Sequence, residues 1–497
     1  MPPTKRTGDF ARRDLDALNE LLDSAVALAR RWTRASARGE HRIFPVVRGA
    51  WLKKRLTEPL PRRGATPQRI LGQLTRDIVP FLRDNGHPRF FGYVMSPPSA
   101  AGIAADLLAS AFDQNLTAWR SGPAATEIER LVVDWMRRIV GMPAGTDGLL
   151  TSGGSMATFT ALAVARARKQ SAQAAEHGLG RLGNKMMTVY ASEEAHMSVP
   201  RAVQLLGLGS RALRTVPTDE NLRIDTPALE RAIRADRARG HIPFCVVASA
   251  GTVNTGAVDP LGDVAAIARR HRLWLHVDAA YGGPLGLSAR HRRLLTGLRQ
   301  ADSVALDPHK WLYAPLDVGC VLFRDAAAPH SAFATHGEYA AVLEPGQRES
   351  YVFFENGPEL SRRFRALKVW MILKYHGADA LGRRIDEEIA LAQDLAARIE
   401  RHPELALLAP VPTSIVCFRY VPAARGRWTE TRLEELNRRL LLAVQKAGRI
   451  YLTNARVKGR FALRACLVNF RTTPRDVATV VSEIVRTGRM LARPRSR

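Results

Sequence analysis

Lys310 stands in Asp307-Pro308-His309-Lys310-Trp311, between the apolar runs Ser303–Leu306 and Gly319–Phe323. The chain has ten Lys against 64 Arg, so a Lys in apolar surroundings is unusual here. A Lys between two buried strands carries a desolvation penalty unless its amine is neutralised or bonded. Linkage to an aldehyde as a Schiff base takes up that amine and makes it a covalent catalyst. A solvated loop Lys is the plainer alternative. Asp278 closes a second apolar run, Leu273-Trp274-Leu275-His276-Val277, and is followed by Ala279-Ala280-Tyr281-Gly282-Gly283. A carboxylate at a buried strand end can hold a proton on a ring nitrogen, and Ala280 is small enough to let a flat ring lie close. A single Asp there could equally cap the next element.

Two more stretches add to these. Thr151-Ser152-Gly153-Gly154-Ser155-Met156-Ala157-Thr158 opens a helical run that extends to about Arg168. Glycines and hydroxyls at a helix start leave backbone N–H groups free, and the helix dipole favours an anion there. Gly154 and Ser155 are therefore candidates for holding a phosphate. A capped helix after a glycine turn looks the same. His196, in Val189-Tyr190-Ala191-Ser192-Glu193-Glu194-Ala195-His196, follows another apolar run. Its imidazole could stack on a flat ring or be purely structural. In chain order the four are an anion loop, a stacking His, a ring-nitrogen Asp and a Schiff-base Lys. A phosphate, a ring nitrogen and an aldehyde on one molecule describe pyridoxal 5′-phosphate.

Such residues can meet only if their strands lie in one sheet. The expected strands are Met187–Ala191, Phe244–Ala248, Leu273–Val277, Ser303–Leu306 and Gly319–Phe323, with helical segments such as Pro227–Arg239 and Gly262–His271 between them. That alternation argues for an α/β fold with a mostly parallel sheet covered on both faces, whose strand ends carry the site. This large domain is expected over residues 87–377. Before it, residues 1–86 read as a helical arm. Leu15, Leu18, Leu22, Ala25, Ala29 and Trp32 recur at helical spacing, and a second helix opens at Thr66-Pro67 after an irregular stretch at about 36–65. The arm cannot bury its apolar faces alone, so it is expected to pack on a partner subunit. Residues 378–497 read as a small α+β domain: helices Ile385–Glu400 and Thr431–Ala447, strands Ser414–Tyr420, near Ile450 and at Phe461–Val468, and a last helix from Pro474.

Length and composition set the outer bounds. The 497 residues are 46% hydrophobic and 24% charged, an ordinary globular balance that excludes wholesale disorder. No run of about 18 apolar residues suggests a membrane span, and the charged N-terminus does not read as a secretory signal. The net charge of +27 is spread along the chain, which favours an Arg-rich solvated surface over a nucleic-acid patch. Cys245, Cys320, Cys417 and Cys466 lie far apart in apolar runs without a CxxC pair. Buried thiols, no metal site and a cytoplasmic location are expected.

The chain resembles the pyridoxal-phosphate-dependent group II amino-acid decarboxylases, the aromatic-L-amino-acid and glutamate decarboxylase family. The resemblance runs from about residue 66 to the last helix. It rests on His87-Pro88-Arg89-Phe90-Phe91-Gly92-Tyr93, the Gly153-Gly154 loop, Ala250-Gly251-Thr252, Val277-Asp278-Ala279-Ala280, Pro308-His309-Lys310-Trp311-Leu312 and Arg362-Arg363-Phe364-Arg365-Ala366-Leu367-Lys368. It implies fold type I, like aspartate aminotransferase, with a seven-stranded type of large sheet. It also implies a homodimer and decarboxylation of an L-amino acid to its amine.

Carried over by residue, the resemblance makes Lys310 the Schiff-base residue, Asp278 the ring-nitrogen partner and His196 the stacking residue. Gly154, Ser155 and His309 would hold the phosphate, and Thr252 would lie near the cofactor's 3′ oxygen. Ser96, Tyr93 and Trp119 would line the substrate pocket, more like the aromatic branch than the glutamate branch. Family members protonate the substrate carbon with a loop Tyr that reaches into the partner subunit's site. Counting back from Arg362 reaches Phe353, with Tyr351 two residues earlier, and Tyr351 is taken as the donor. A Phe in that place would imply oxidative deamination to an aldehyde. Another fold type I lyase and a basic nucleic-acid-binding protein are the remaining alternatives.

Overall fold

A computed structural model of the chain describes residues 5–179, 183–334, 351–423 and 428–493. The arm opens with the long helix α1 (Lys5–Ala37), followed by α2 (Gly49–Leu56) inside the stretch expected to be irregular. Next comes α3 (Pro67–Gln73), whose start is as expected: Thr66 caps it by accepting the Arg69 N–H, and Pro67 occupies the first turn. The apolar residues of α1 find few partners within the chain, and Phe10 and Leu15 are 78% and 69% exposed.

Two helices, α4 (Ala100–Phe112) and α5 (Pro123–Val140), lead into the large sheet. The chain then runs β1 (Asp147–Thr151), α6 (Gly154–Lys169), α7 (Ala172–His177), β2 (Met187–Ser192), α8 (Ser198–Leu205), β3 (Leu213–Val216), α9 (Thr226–Ala238), β4 (Ile242–Ser249), α10 (Leu261–Arg270), β5 (Trp274–Asp278), β6 (Ser303–Leu306), the short α11 (Pro308–Trp311) and β7 (Gly319–Phe323). The seven strands lie in the order β1-β7-β6-β5-β4-β2-β3, and β7 alone runs against the others. Every residue of β2, β5, β6 and β7 is buried. Helices cover both faces, so these strands read as continuous apolar runs rather than alternating ones.

Two strands of the large sheet escaped the sequence reading. β3 is an edge strand of four residues carrying Arg214 and Thr215. β1 begins Asp147-Gly148, which looks like a turn. Gly148 is needed there because a Cβ would lie 2.0 Å from the Val321 carbonyl of β7.

After α12 (His330–Phe333), α13 (Ala366–His376) and α14 (Ala378–Arg401), a second sheet forms from β8 (Leu405–Leu407), β9 (Ile415–Tyr420), β10 (Thr453–Val457) and β11 (Arg460–Cys466). Its order is β10-β11-β9-β8, antiparallel throughout. With α14, α15 (Glu430–Ala447) and α16 (Pro474–Ala492) it encloses a separate apolar core around Phe418, Leu440 and Ile484. The sheet's inner edge docks on the large one. Arg464 donates to the Val253 and Asn254 carbonyls at 2.9 and 3.1 Å, and Tyr281 shares a 2.6 Å hydrogen bond with Ser414. Among the described residues no helix is long and apolar enough to cross a membrane.

Candidate active site

The strand ends converge as the sequence suggested. A cavity of about 320 Å³ is lined by Gly153, Gly154, Ser155, His196, Asp278, Ala280, Asp307, His309 and Lys310. It adjoins a second cavity of about 530 Å³, which shares His196, Asp278, Ala280 and Lys310 and adds Tyr93, Asn254, Tyr451, Thr453 and Arg464. The large sheet thus supplies the floor and the small sheet the outer wall.

Lys310 lies on the one-turn helix α11. Its Nζ is 3.0 Å from Asp307 Oδ2, and its side chain keeps 20% of its exposure. Burial pulls the amine's pKa down, but Asp307 and Asp278 outweigh it and the net shift is upward. The free amine is therefore held as an ammonium facing a cavity. Trp311, the next residue, stacks on Tyr281 at 4.8 Å and donates its indole N–H to the buried Glu388, which also accepts from Tyr313 at 3.0 Å. Ser96 anchors the same turn through the Lys310 carbonyl, so it sits behind Lys310 rather than in the cavity wall.

Asp278 ends β5, and its Oδ1 accepts the Ala280 N–H at 3.1 Å. The His196 ring accepts the Ser198 N–H on Nδ1 at 3.2 Å and meets the Ser198 hydroxyl at 2.9 Å, which leaves the proton of the neutral ring on Nε2. Burial lowers the pKa of His196 and of His309, and both rings are neutral near pH 7. The Nδ1–H of His309 donates to the Val318 carbonyl at 2.7 Å.

The turn before α6 has the features of a phosphate cradle. Gly153 has φ +144°, and a Cβ on Gly154 would lie 2.8 Å from Asp307 Oδ2 and 3.0 Å from the Ala280 methyl. Only glycine leaves this space open, and the first amides of a 16-residue helix point toward it. Beside it, Asp307 Oδ1 is buried without a hydrogen-bond partner. A phosphate cradle, an acid at a strand end, a small Ala and a lysine on one cleft fit pyridoxal 5′-phosphate.

Besides Ser96, three expected residues lie outside the cavity walls. Trp119 donates its indole N–H to Glu127 at 3.0 Å and lines neither cavity. The Thr252 hydroxyl is taken up in its own turn, accepting the Ala257 N–H at 3.1 Å and meeting Thr255 at 3.0 Å. Tyr351 points to the start of β1, where its hydroxyl donates to Asp147 at 3.3 Å, and its ring packs against Phe353 and beneath Arg130. Asp147 is about 13 Å along β1 from the anion turn, at about 3.3 Å per residue. Phe353 is fully buried under the Arg362 guanidinium, 4.0 Å away. Neither residue of the expected donor position therefore faces the cleft of its own chain; the resemblance places the donor in the partner's cleft. The other tyrosine of the segment, Tyr339, is outside the described residues.

Sequence reading also missed residues that the structure brings in. Arg464 is 3% exposed and lines the outer cavity, and its Nη2 is buried without a hydrogen-bond partner. An Arg inside the apolar run Phe461–Cys466 was the available signal, of the same kind that singled out Lys310. Asn254, held by Glu194 at 2.9 Å, carried no signal in its loop.

A family model described as the pyridoxal-dependent decarboxylase conserved domain matches residues 51–421. The aromatic-L-amino-acid decarboxylase of Bacillus atrophaeus is 38% identical over 87% of this chain and 88% of its own length. Tryptophan decarboxylase TDC1 of Camptotheca acuminata is 31% identical over 88% and 87%. Among solved structures, Oryza sativa TDC with PLP and tryptamine aligns with a TM-score of 0.90 and 29% identity, covering 96% of this chain and 99% of that one. Rhodiola rosea 4-hydroxyphenylacetaldehyde synthase aligns with a TM-score of 0.86 and 27% identity, covering 97% and 99%.

Proposed function

The chain belongs to the pyridoxal-dependent decarboxylase family, and on that premise we propose that its substrate is an L-amino acid with an aromatic side chain, released as the amine and CO₂. The observation that carries this reading is the Lys310 ammonium, 3.0 Å from Asp307, in a cleft where the Gly153–Ser155 turn, Asp278 and His196 meet.

Bound pyridoxal 5′-phosphate supplies an aldehyde that takes up amino groups and a protonated ring nitrogen that withdraws electrons from the substrate's α-carbon. In our assignment Gly154 and Ser155 hold its phosphate through the free amides at the start of α6, with His309 closing the cradle from the side. Asp278 keeps the proton on the ring nitrogen. Ala280 leaves room for the ring, and His196 covers it while presenting Nε2–H to the cleft. Asp307 holds Lys310 at the cavity and keeps a proton on Nζ whenever the amine is free. Arg464, on the wall of the outer cavity, offers its guanidinium to the substrate carboxylate before it leaves. Tyr93, Val94, Tyr281 and Tyr451 form much of the outer cavity, and among the described residues Lys310 and Arg464 are the Lys and Arg cations on its wall. With both committed, an acidic substrate side chain would find no cation of its own, whereas an aromatic ring meets aromatic walls. The named aromatic-amino-acid and tryptophan decarboxylases support the same choice.

We assign the same three-part division to the fold: arm 1–86, large domain 87–377, small domain 378–497. The unpartnered apolar face of α1 supports a homodimer, and the four buried free thiols support a cytoplasmic setting. The test of function is a panel of L-tryptophan, L-tyrosine, L-phenylalanine and L-glutamate, with CO₂, amine and aldehyde measured together. CO₂ and amine in equal amounts from the aromatic substrates are expected. Preferential turnover of glutamate would overturn the substrate assignment, and aldehyde with ammonia would overturn the product.

A further inference from the structure

At the opposite end of the large sheet's strands from the active site lies a cavity of about 730 Å³. Its walls are the last turns of α6 and α10, the start of β5, the approach to β6 and the end of β7. Lys169, Arg269, Arg272 and Arg324 line it, and among the described residues none has a carboxylate within ion-pair distance. Lys169 Nζ donates to the Arg272 carbonyl at 3.0 Å, Arg269 to the Gln300 side-chain oxygen, and Arg324 to the Ala301 carbonyl at 3.0 Å. The Arg272 guanidinium makes no hydrogen bond, although its residue is held in a left-handed turn at φ +52°. Of the acids of the cavity, Asp325 is paired with Arg168 at 3.0 Å, while Asp302 feels the charges of Arg324 and Lys169 without an ion pair, and its Oδ2 accepts the Leu275 N–H at 2.8 Å.

Cations at helix C-termini commonly answer the helix dipole, and Lys169 does so for α10. That does not account for the group as a whole. Two helix ends of about half a negative charge each, together with Asp302, offset about two of the four cations. About two positive charges are left uncompensated in a concave space of the size that small ligands occupy. The charges come from three segments on different walls. Guanidinium forks so placed match the several oxygens of a chain of phosphates better than a single one. A concave cleft also suits a small molecule better than the flat basic surface a duplex would need.

We propose that this cleft is a second binding site, taking a small polyanion with two or more linked phosphates, either inorganic pyrophosphate or a nucleoside di- or triphosphate. It is independent of the decarboxylase reading, because no residue of the active site takes part.

The experiment is calorimetric titration of the cofactor-loaded enzyme, whose phosphate turn is then filled, with pyrophosphate, ADP, ATP and inorganic phosphate in magnesium-free, low-salt buffer. One saturable site per chain is expected, weakening as salt is added. In Arg269→Ala/Arg272→Ala the affinity should fall about tenfold or more, while Arg290→Ala, on another surface, binds as the parent does. Pyrophosphate binding as tightly as ATP would assign the site to the phosphates alone; tighter ATP binding would assign it to a nucleotide. Absence of saturable binding by pyrophosphate, ADP and ATP, unchanged affinity in the double variant, or phosphate binding as tightly as pyrophosphate would each overturn the proposal. Unaltered cofactor absorbance in the double variant shows that it has folded.

Discussion

Two lysines, Lys368 and Lys310, are drawn into the fold in opposite settings. Lys368 is tied to Asp106 at 3.0 Å and to the Pro315 and Asp317 carbonyls, so all its donors are used within the fold. Lys310 has one carboxylate and an open cavity. Asp278→Ala should keep cofactor bound, because the glycine turn and Lys310 remain, while kcat at saturating cofactor falls by at least about 100-fold. Near-parental kcat would remove Asp278 from its role. Tyr351→Phe should still give amine, since it loses only a 3.3 Å hydrogen bond to Asp147 and about 1 kcal/mol of stability. A switch to aldehyde in that variant would restore Tyr351 as the proton donor. Glu388, behind Trp311, has its pKa pushed up by burial from 4.5 to about 7. The folded chain therefore binds a proton that the unfolded chain has already released. This stabilisation is complete below about pH 4.5 and lost as pH rises through 7, and amounts to about 3 kcal/mol at most. In Glu388→Gln that component disappears. The parent should lose stability relative to the variant between pH 4.5 and 8 in denaturant titrations, and a constant difference would contradict the assignment.

Elements decide which of these residues meet. The Gly153–Gly154 turn works because nothing projects from it, so Gly154→Ala should weaken cofactor binding about tenfold, as crowding of a packed site does. An absorbance titration with pyridoxal 5′-phosphate measures this, and unchanged affinity would show that the turn yields. The strands that lead to Asp278 and Lys310 were legible because central strands of a covered sheet are apolar along their whole length. β1 was not, because the residue that permits its close approach to β7, Gly148, also reads as a turn. The site residues on strand ends were legible for the same reason as the strands. Arg464 was not, because its role depends on the small sheet docking against the large one, a contact between residues more than 200 positions apart. The setting of Tyr351 was hidden for a similar reason: a count along the chain cannot see that Asp147 and Arg362 hold that stretch against β1 and α5.

At the scale of the molecule, the arm is the part the single chain leaves unfinished. Its exposed apolar residues and the covered large sheet point to two chains sharing one interface, and sedimentation should find twice the chain's mass, with more than about 2,000 Å² buried as obligate dimers require. A catalytically competent monomer would contradict this. The central claim remains that one lysine among ten holds the cofactor. Reduction of the loaded protein with borohydride, followed by peptide mapping, tests it most directly. The reduced pyridoxyl phosphate adduct should be found on the peptide containing Lys310 and vanish in Lys310→Ala; an adduct on Lys368 or any other lysine, or one that persists in that variant, would contradict the account.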